Sequence, residues 1–198
     1  MYTQTHVLMG AALFGGKVPK RAWLGAPGGA LPDIPMLLIV AGLKLTAIPD
    51  PLIHGYLYAQ DWWQVTNGIT HNFWIWAGVF LVAFFLRERL AATAETIDRC
   101  SLVLVFSASG VMHVLIDFLT HREDAHMSFW PVTRWQFVSP VSFRDPAHFG
   151  QPFGLFEAVL GLGLATLLIR RFADRWAHLA LVITMLLYVT VTVCMFLL

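Results

Sequence analysis

The chain has 198 residues, 58% hydrophobic and only 13% charged, with a formal net charge of +1 at pH 7. A soluble domain usually carries about 25% charged residues, so this composition excludes an ordinary soluble enzyme and predicts an integral membrane protein. With no basic patch to neutralise phosphates, it also excludes a nucleic-acid partner, and the length suits one membrane domain over 1–198.

In chain order, residues 4–33 read as an N-terminal helical hairpin. Its two apolar pieces, 5–16 and 22–31, are too short to cross a bilayer, and Lys17, Lys20 and Arg21 lie between them. No basic region precedes the first apolar run, which predicts no cleaved leader. Residues 35–48, interrupted by Lys44, are expected at the interface, and 49–69 read as a polar-aromatic loop. Crossing the hydrocarbon core takes about 20 apolar residues. Segments at about 70–86, 101–120, 153–170 and 176–198 meet or approach that length. Between the second and third lies the loop 121–152, long for a compact helical domain and so expected to be functional. The expected fold is all-α, a polytopic helical membrane protein with about four full transmembrane helices plus the N-terminal hairpin of shorter segments. Cys100 and Cys194 lie at opposite ends of separate apolar segments, which predicts no disulfide.

Lysine and arginine placement predicts orientation. Threading the helices up and down puts Lys17, Lys20, Arg21, Arg87, Arg89, Arg99, Arg170, Arg171 and Arg175 at one end. That end is expected to be cytoplasmic. The opposite end collects Trp62, Trp63, Trp74, Trp76, Trp130 and Trp135, as an aromatic belt would.

Polar residues inside the apolar segments carry the chemistry. His113 and Asp117 sit four apart within 101–120, on one face of a helix. Ionisable groups at membrane depth are costly and mark functional interiors. His121 continues that face, and His126 follows in the loop. The expected topology returns Asp33 to the level of His6 and brings His71 and Asp117 there too. Imidazoles and carboxylates converging on one site suit Zn²⁺ best, and also Mn²⁺ or Fe²⁺, as one ion or two. Each residue also has a plainer reading. His6 fits an interfacial polar residue, Asp33 a helix N-cap, and His113 with Asp117 a helix-packing pair.

Thr5-His6, Leu31-Pro32-Asp33, Thr70-His71, His113 to Asp117 and Trp130-Pro131 occur in this order. In that pattern the chain resembles the bacterial inner-membrane metal-dependent hydrolases and, more distantly, the zinc-dependent phospholipase C group. The resemblance covers roughly residues 3–150. It implies a helical membrane fold with metal ligands at His6, Asp33, His71, His113 and Asp117. The chain departs from the pattern at Pro35, where a second acid is usual, and at Asn72, where a serine is usual. It departs again at His121 to His126, which replace a glycine-rich turn.

The function expected is a membrane-embedded metal-dependent hydrolase of the bacterial inner membrane. It would act on a lipid or lipid-linked phosphoester, with its site toward the periplasmic face. The metal set is His6, Asp33, His71, His113, Asp117, His121 and His126. Asp124 or Glu123 is the candidate general base, and Arg122, Arg134 and Arg144 are candidates to hold a phosphate. The alternative is a non-enzymatic accessory or assembly subunit of a membrane complex, with a structural metal. Exposed apolar helix faces suit lipid, a membrane protein partner or a second copy of the chain equally.

Overall fold

The structure, a computed structural model, describes residues 1–89 and 94–197, and no strand occurs among them. Helix α1 (Thr3–Met9) runs directly into a π-helical segment, Gly10–Phe14. α2 (Pro19–Ala30) and α3 (Ile34–Leu45) follow, bent by 60° at the break that carries Asp33. α4 (Asp61–Thr70) and α5 (Phe73–Arg89) are separated by His71 and Asn72. α6 covers Ala94–Thr120, α7 Gly150–Arg171 and α8 Arg175–Leu197. By length and composition four stretches can cross a membrane: Asp61–Arg89, Glu95–Thr120, Gly150–Arg171 and Arg175–Cys194. The bent α2–α3 pair would make a fifth. Cys100 and Cys194 are both free.

Helical turns lie where the sequence reads as loop or boundary, among them Leu52–Leu57 and Pro146–His148, and two longer stretches bear on the site. Residues 61–70 form α4, because Trp63, Asn67 and Gly68 share one buried face at helical spacing. The mix of tryptophan, glutamine and asparagine hides that face from a hydropathy reading. α6 begins seven residues before the apolar run, extended by a solvated turn in which Glu95 and Arg99 pair at 2.6 Å.

Close backbone approach sets the centre of the bundle. A Cβ on Gly28 of α2 would lie 2.2 Å from the Phe106 carbonyl oxygen of α6. A Cβ on Gly29 would lie 2.3 Å from the His6 carbonyl oxygen of α1. Without hydrophobic force between helices in lipid, small residues of this kind let backbones touch and gain dispersion contacts. The same crossing carries His6, Asp33 and His113 toward one another.

The two ends of the bundle differ. At one end Lys20 of α2 pairs with Asp98 of α6, and the Arg171 guanidinium at the end of α7 donates to the carbonyls of Ala12 (2.7 Å) and Gly16 (2.9 Å). The hairpin turn, the start of α6 and the end of α7 therefore meet there, with their basic residues. The ends of α2, α4 and α6 meet at the opposite end, under the loop 121–149. α5 and α8 turn large apolar side chains outward, among them Val82, Phe85, Leu179 and Leu186. Such continuous apolar exposure marks a lipid-facing or partner-facing surface.

Candidate metal centre

His113 and Asp117 face inward from α6, 0% and 1% exposed. Three chain breaks bring partners to them. The α2–α3 break delivers Asp33, the α4–α5 break delivers His71, and the loop after α6 folds back to deliver His126. Asp33 stands at the start of α3 but makes no capping bond. Its Oδ2 instead accepts a hydrogen bond from the Thr3 hydroxyl at 2.5 Å, leaving Oδ1 to face the histidines. Asn72, at the start of α5, accepts from the Ile75 N–H at 3.1 Å and donates to the Trp130 carbonyl. The residue that departs from the serine pattern thus caps α5 and ties the loop to the helix break.

The tautomers follow from the partners. His113 Nδ1 lies 2.7 Å from the Gly29 carbonyl oxygen, and His71 Nδ1 lies 3.2 Å from the Asn67 carbonyl oxygen. A carbonyl cannot donate, so both Nδ1 atoms carry a proton, and Nε2 of each ring is left to face the cluster. Those two Nε2 atoms face each other at 3.3 Å. Asp33 Oδ1 lies 3.3 Å from His71 Nε2 and 3.5 Å from His113 Nε2. Asp117 Oδ2 lies 3.5 and 3.0 Å from the same two atoms. Four acceptors thus converge in a buried space. A tetrahedral zinc site with metal–ligand bonds of 2.0–2.2 Å has edges of about 3.3–3.6 Å. The five separations given, 3.0–3.5 Å, match a collapsed version of that polyhedron, and the donor set suits a divalent cation. Hydrogen bonds from histidine Nδ1 to a carbonyl are the usual outer support of such ligands.

A second group shares Asp117. Its Oδ1 lies 2.9 Å from His6 Nε2, 3.3 Å from His121 Nε2 and 3.2 Å from the Met1 nitrogen. Ligand atoms of Asp117, His121 and His126 lie within 4.8 Å of one another. Both ring nitrogens of His126 are buried without a hydrogen-bond partner, as is His6 Nδ1. The His6 ring stacks on His113 and the His126 ring on His71, at 3.8 and 3.9 Å between centroids.

Asp124 stands behind His121. Its Oδ1 lies 3.0 Å from His121 Nδ1, and its Oδ2 lies 3.3 Å from Arg144 Nη2. Burial disfavours its charge, but His121 and Arg144 together hold its carboxyl well below the usual carboxylate range. Burial likewise works against a charged His121, yet Asp117 and Asp124 raise it to about 9. Burial, reinforced by His71 and His121, holds His126 in its neutral form. Asp124 therefore sits as a charge partner beside His121. Glu123 is exposed, accepts from the Ser142 hydroxyl at 2.9 Å and lies 3.9 Å from Arg144 Nε. Arg144 is thus engaged with both acids.

Arg122 donates to the Ser139 carbonyl at 3.0 Å, and Arg134 pairs with Asp61 at the surface. Both arginines line a surface cavity with Gln64 and Gln136. Ala125 and Met127 face that cavity too, and His126 between them faces the buried cluster. One short segment thus walls the cavity from the centre. A surface group of Glu123, Asp145 and His148 also comes within 4.8 Å. Asp145 and His148 already pair at 2.6 Å there, which clasps the loop.

Sequence reasoning passed over Glu157. This residue sits inside α7 at 1% exposure, accepting from the Tyr2 N–H (2.7 Å) and the Thr5 hydroxyl (2.5 Å). The Thr5 hydroxyl also meets the Tyr188 hydroxyl of α8 at 2.5 Å. The network ties α7 and α8 to α1 beside His6. A carboxylate within a 22-residue apolar helix was itself the available signal. Glu157→Ala should strand the Tyr2 N–H, at about 1–3 kcal/mol for an unpartnered buried group, and leave the Thr5 hydroxyl to Tyr188 alone. At about 2–4 °C per kcal/mol for a chain of this size, thermal unfolding in detergent should show a loss of several degrees, with Glu157→Gln recovering part of it.

No curated protein and no solved structure matches the chain significantly. A family model described as "YdjM inner membrane protein" matches residues 1–197. Together with four helices long and apolar enough to span a bilayer, that match places the chain in the YdjM inner membrane protein family.

Proposed function

We propose that this protein is a membrane-embedded, metal-dependent hydrolase of a lipid or lipid-linked phosphoester, working at the periplasmic end of the bundle. One observation carries the reading: four buried ligand atoms of Asp33, His71, His113 and Asp117 converge within 4.8 Å of one another. Such a set is stable once a divalent cation occupies it. A bound divalent cation would supply Lewis acidity and bring a water into the range of neutral pH.

The chain's own residues do the rest. Gly29 and Asn67 carbonyls hold the histidine rings in their ligand tautomer. Asp124, paired with Arg144, places its carboxylate beside His121 at the edge of the site. Arg122 and Arg134 line the adjoining cavity, where a guanidinium suits a phosphate group. The concentration of basic residues at the other end of the bundle supports placing the site toward the periplasm.

The second reading is an accessory subunit of a membrane complex with a structural metal. It is favoured by the donor count, since four protein ligands close a tetrahedral shell. Purified protein in detergent separates the two. Zinc-loaded protein should release p-nitrophenol from p-nitrophenylphosphorylcholine, and chelation or His113→Ala should abolish that release. Metal bound in full stoichiometry with no turnover of this ester or of phosphatidylglycerol vesicles would overturn the hydrolase reading and leave the accessory one.

A further inference from the structure

We infer that the centre takes two divalent cations, with Asp117 bridging them through its two oxygens and with His121 and His126 holding the second. The inference deepens the metal reading above and is independent of whether phosphoesters are turned over.

The two oxygens of Asp117 address different partners. Oδ2 faces His71 and His113, which with Asp33 complete the first donor set. Oδ1 faces away from that set, toward His121 Nε2 at 3.3 Å and His6 Nε2 at 2.9 Å. A carboxylate that splits its oxygens between two nitrogen-rich sets is the usual bridge of a two-metal site, in which the ions lie about 3.5–4 Å apart.

The independent observation is His126. Its ring is 6% exposed, and neither nitrogen has a hydrogen-bond partner. A buried imidazole with both nitrogens unpartnered loses its hydration with nothing in return. Its ligand atom lies within 4.8 Å of those of Asp117 and His121. A cation at that point supplies the missing partner. His121 Nε2 already faces Asp117 Oδ1 at 3.3 Å, with the Asp124 carboxylate 3.0 Å from its Nδ1.

The donor counts then differ in a useful way. The first set offers four protein atoms and is closed. The second offers Asp117, His121 and His126, with His6 outside that group, which leaves an open position of the kind catalytic zinc sites keep. Any activated water therefore belongs on the second cation, and the first serves to orient the bridge. The Met1 nitrogen lies in the same corner, 3.2 Å from Asp117 Oδ1 and 3.3 Å from His121 Nε2.

The test is metal counting on the full chain in detergent, with no activity involved. Protein equilibrated with Zn²⁺ and passed through a desalting column should hold two ions per chain, and His126→Ala should hold one. Loading with Mn²⁺ should give the spin-coupled spectrum of a paired site in the wild type and an isolated-ion spectrum in His126→Ala. The wild-type spectrum decides the matter even if the variant fails to fold. One ion per chain in the wild type, with an uncoupled Mn²⁺ signal, would overturn the inference. Two ions with no turnover would keep the inference while removing the hydrolase reading.

Discussion

Asp117→Asn should empty the centre and abolish any turnover, the largest functional effect expected of one substitution in this chain. Among the described residues, Asp117 is the one shared by both buried donor groups. His71, His113 and Asp33 lie on its Oδ2 side, and His6 and His121 on its Oδ1 side. Asparagine keeps the volume and one oxygen but loses the charge and the second oxygen. A catalytic cation is worth several kcal/mol of transition-state stabilisation. At 1.36 kcal/mol per tenfold, its loss should lower kcat/KM by about 10³-fold or more.

Stability measurements separate this from a mere packing pair. Wild-type protein should gain about 4 kcal/mol against unfolding when the metal stands at about 1,000 times its Kd. Asp117→Asn should lose that increment, while the chelated forms of both proteins melt within a few degrees of each other. If His113 and Asp117 only hold helices together, the variant should instead melt low with and without metal.

Gly28→Val should be the most damaging change away from the ligands. The added Cβ would meet the Phe106 carbonyl oxygen at 2.2 Å and its carbonyl carbon and Cα at 3.0 Å. All three are backbone atoms of α6, so no side chain can swing away. The helices must separate, at or above the about 1–3 kcal/mol typical of overpacking. Separation also withdraws the Gly29 carbonyl from His113 Nδ1 and moves Asp33 off the cluster. The expected result is a lower yield of monodisperse protein and reduced zinc content in whatever folds. Gly163→Ala makes the control, since nothing lies within 4 Å of its Cβ position. Equal yields and equal zinc content for the two variants would refute this account of the α2–α6 crossing.

The membrane class and the four long helices were legible in the chain, because lipid requires about 20 uninterrupted apolar residues per crossing. The polar exceptions within and beside those runs, His71, His113 and Asp117, were legible for the same reason. α4 was not, because a helix covered partly by protein and partly by headgroups needs no apolar continuity. Glu157 stood in plain view but was read as part of an apolar run, and only its bonds to Tyr2 and Thr5 show what it does.

Spacing along one helix placed His113, Asp117 and His121 on a common face, since a 3.6-residue turn fixes neighbours four apart. It could not place Asp33, His71 or His126 against that face, because each arrives through a chain break or a loop whose path is set by distant contacts. Nor could it divide one carboxylate between two sets of nitrogens. That division depends on the rotation of a single side chain, which the packing of α1, α2, α6 and the returning loop determines. Residue types and helix period were written locally; the sharing of Asp117 exists only once segments more than a hundred positions apart are in contact.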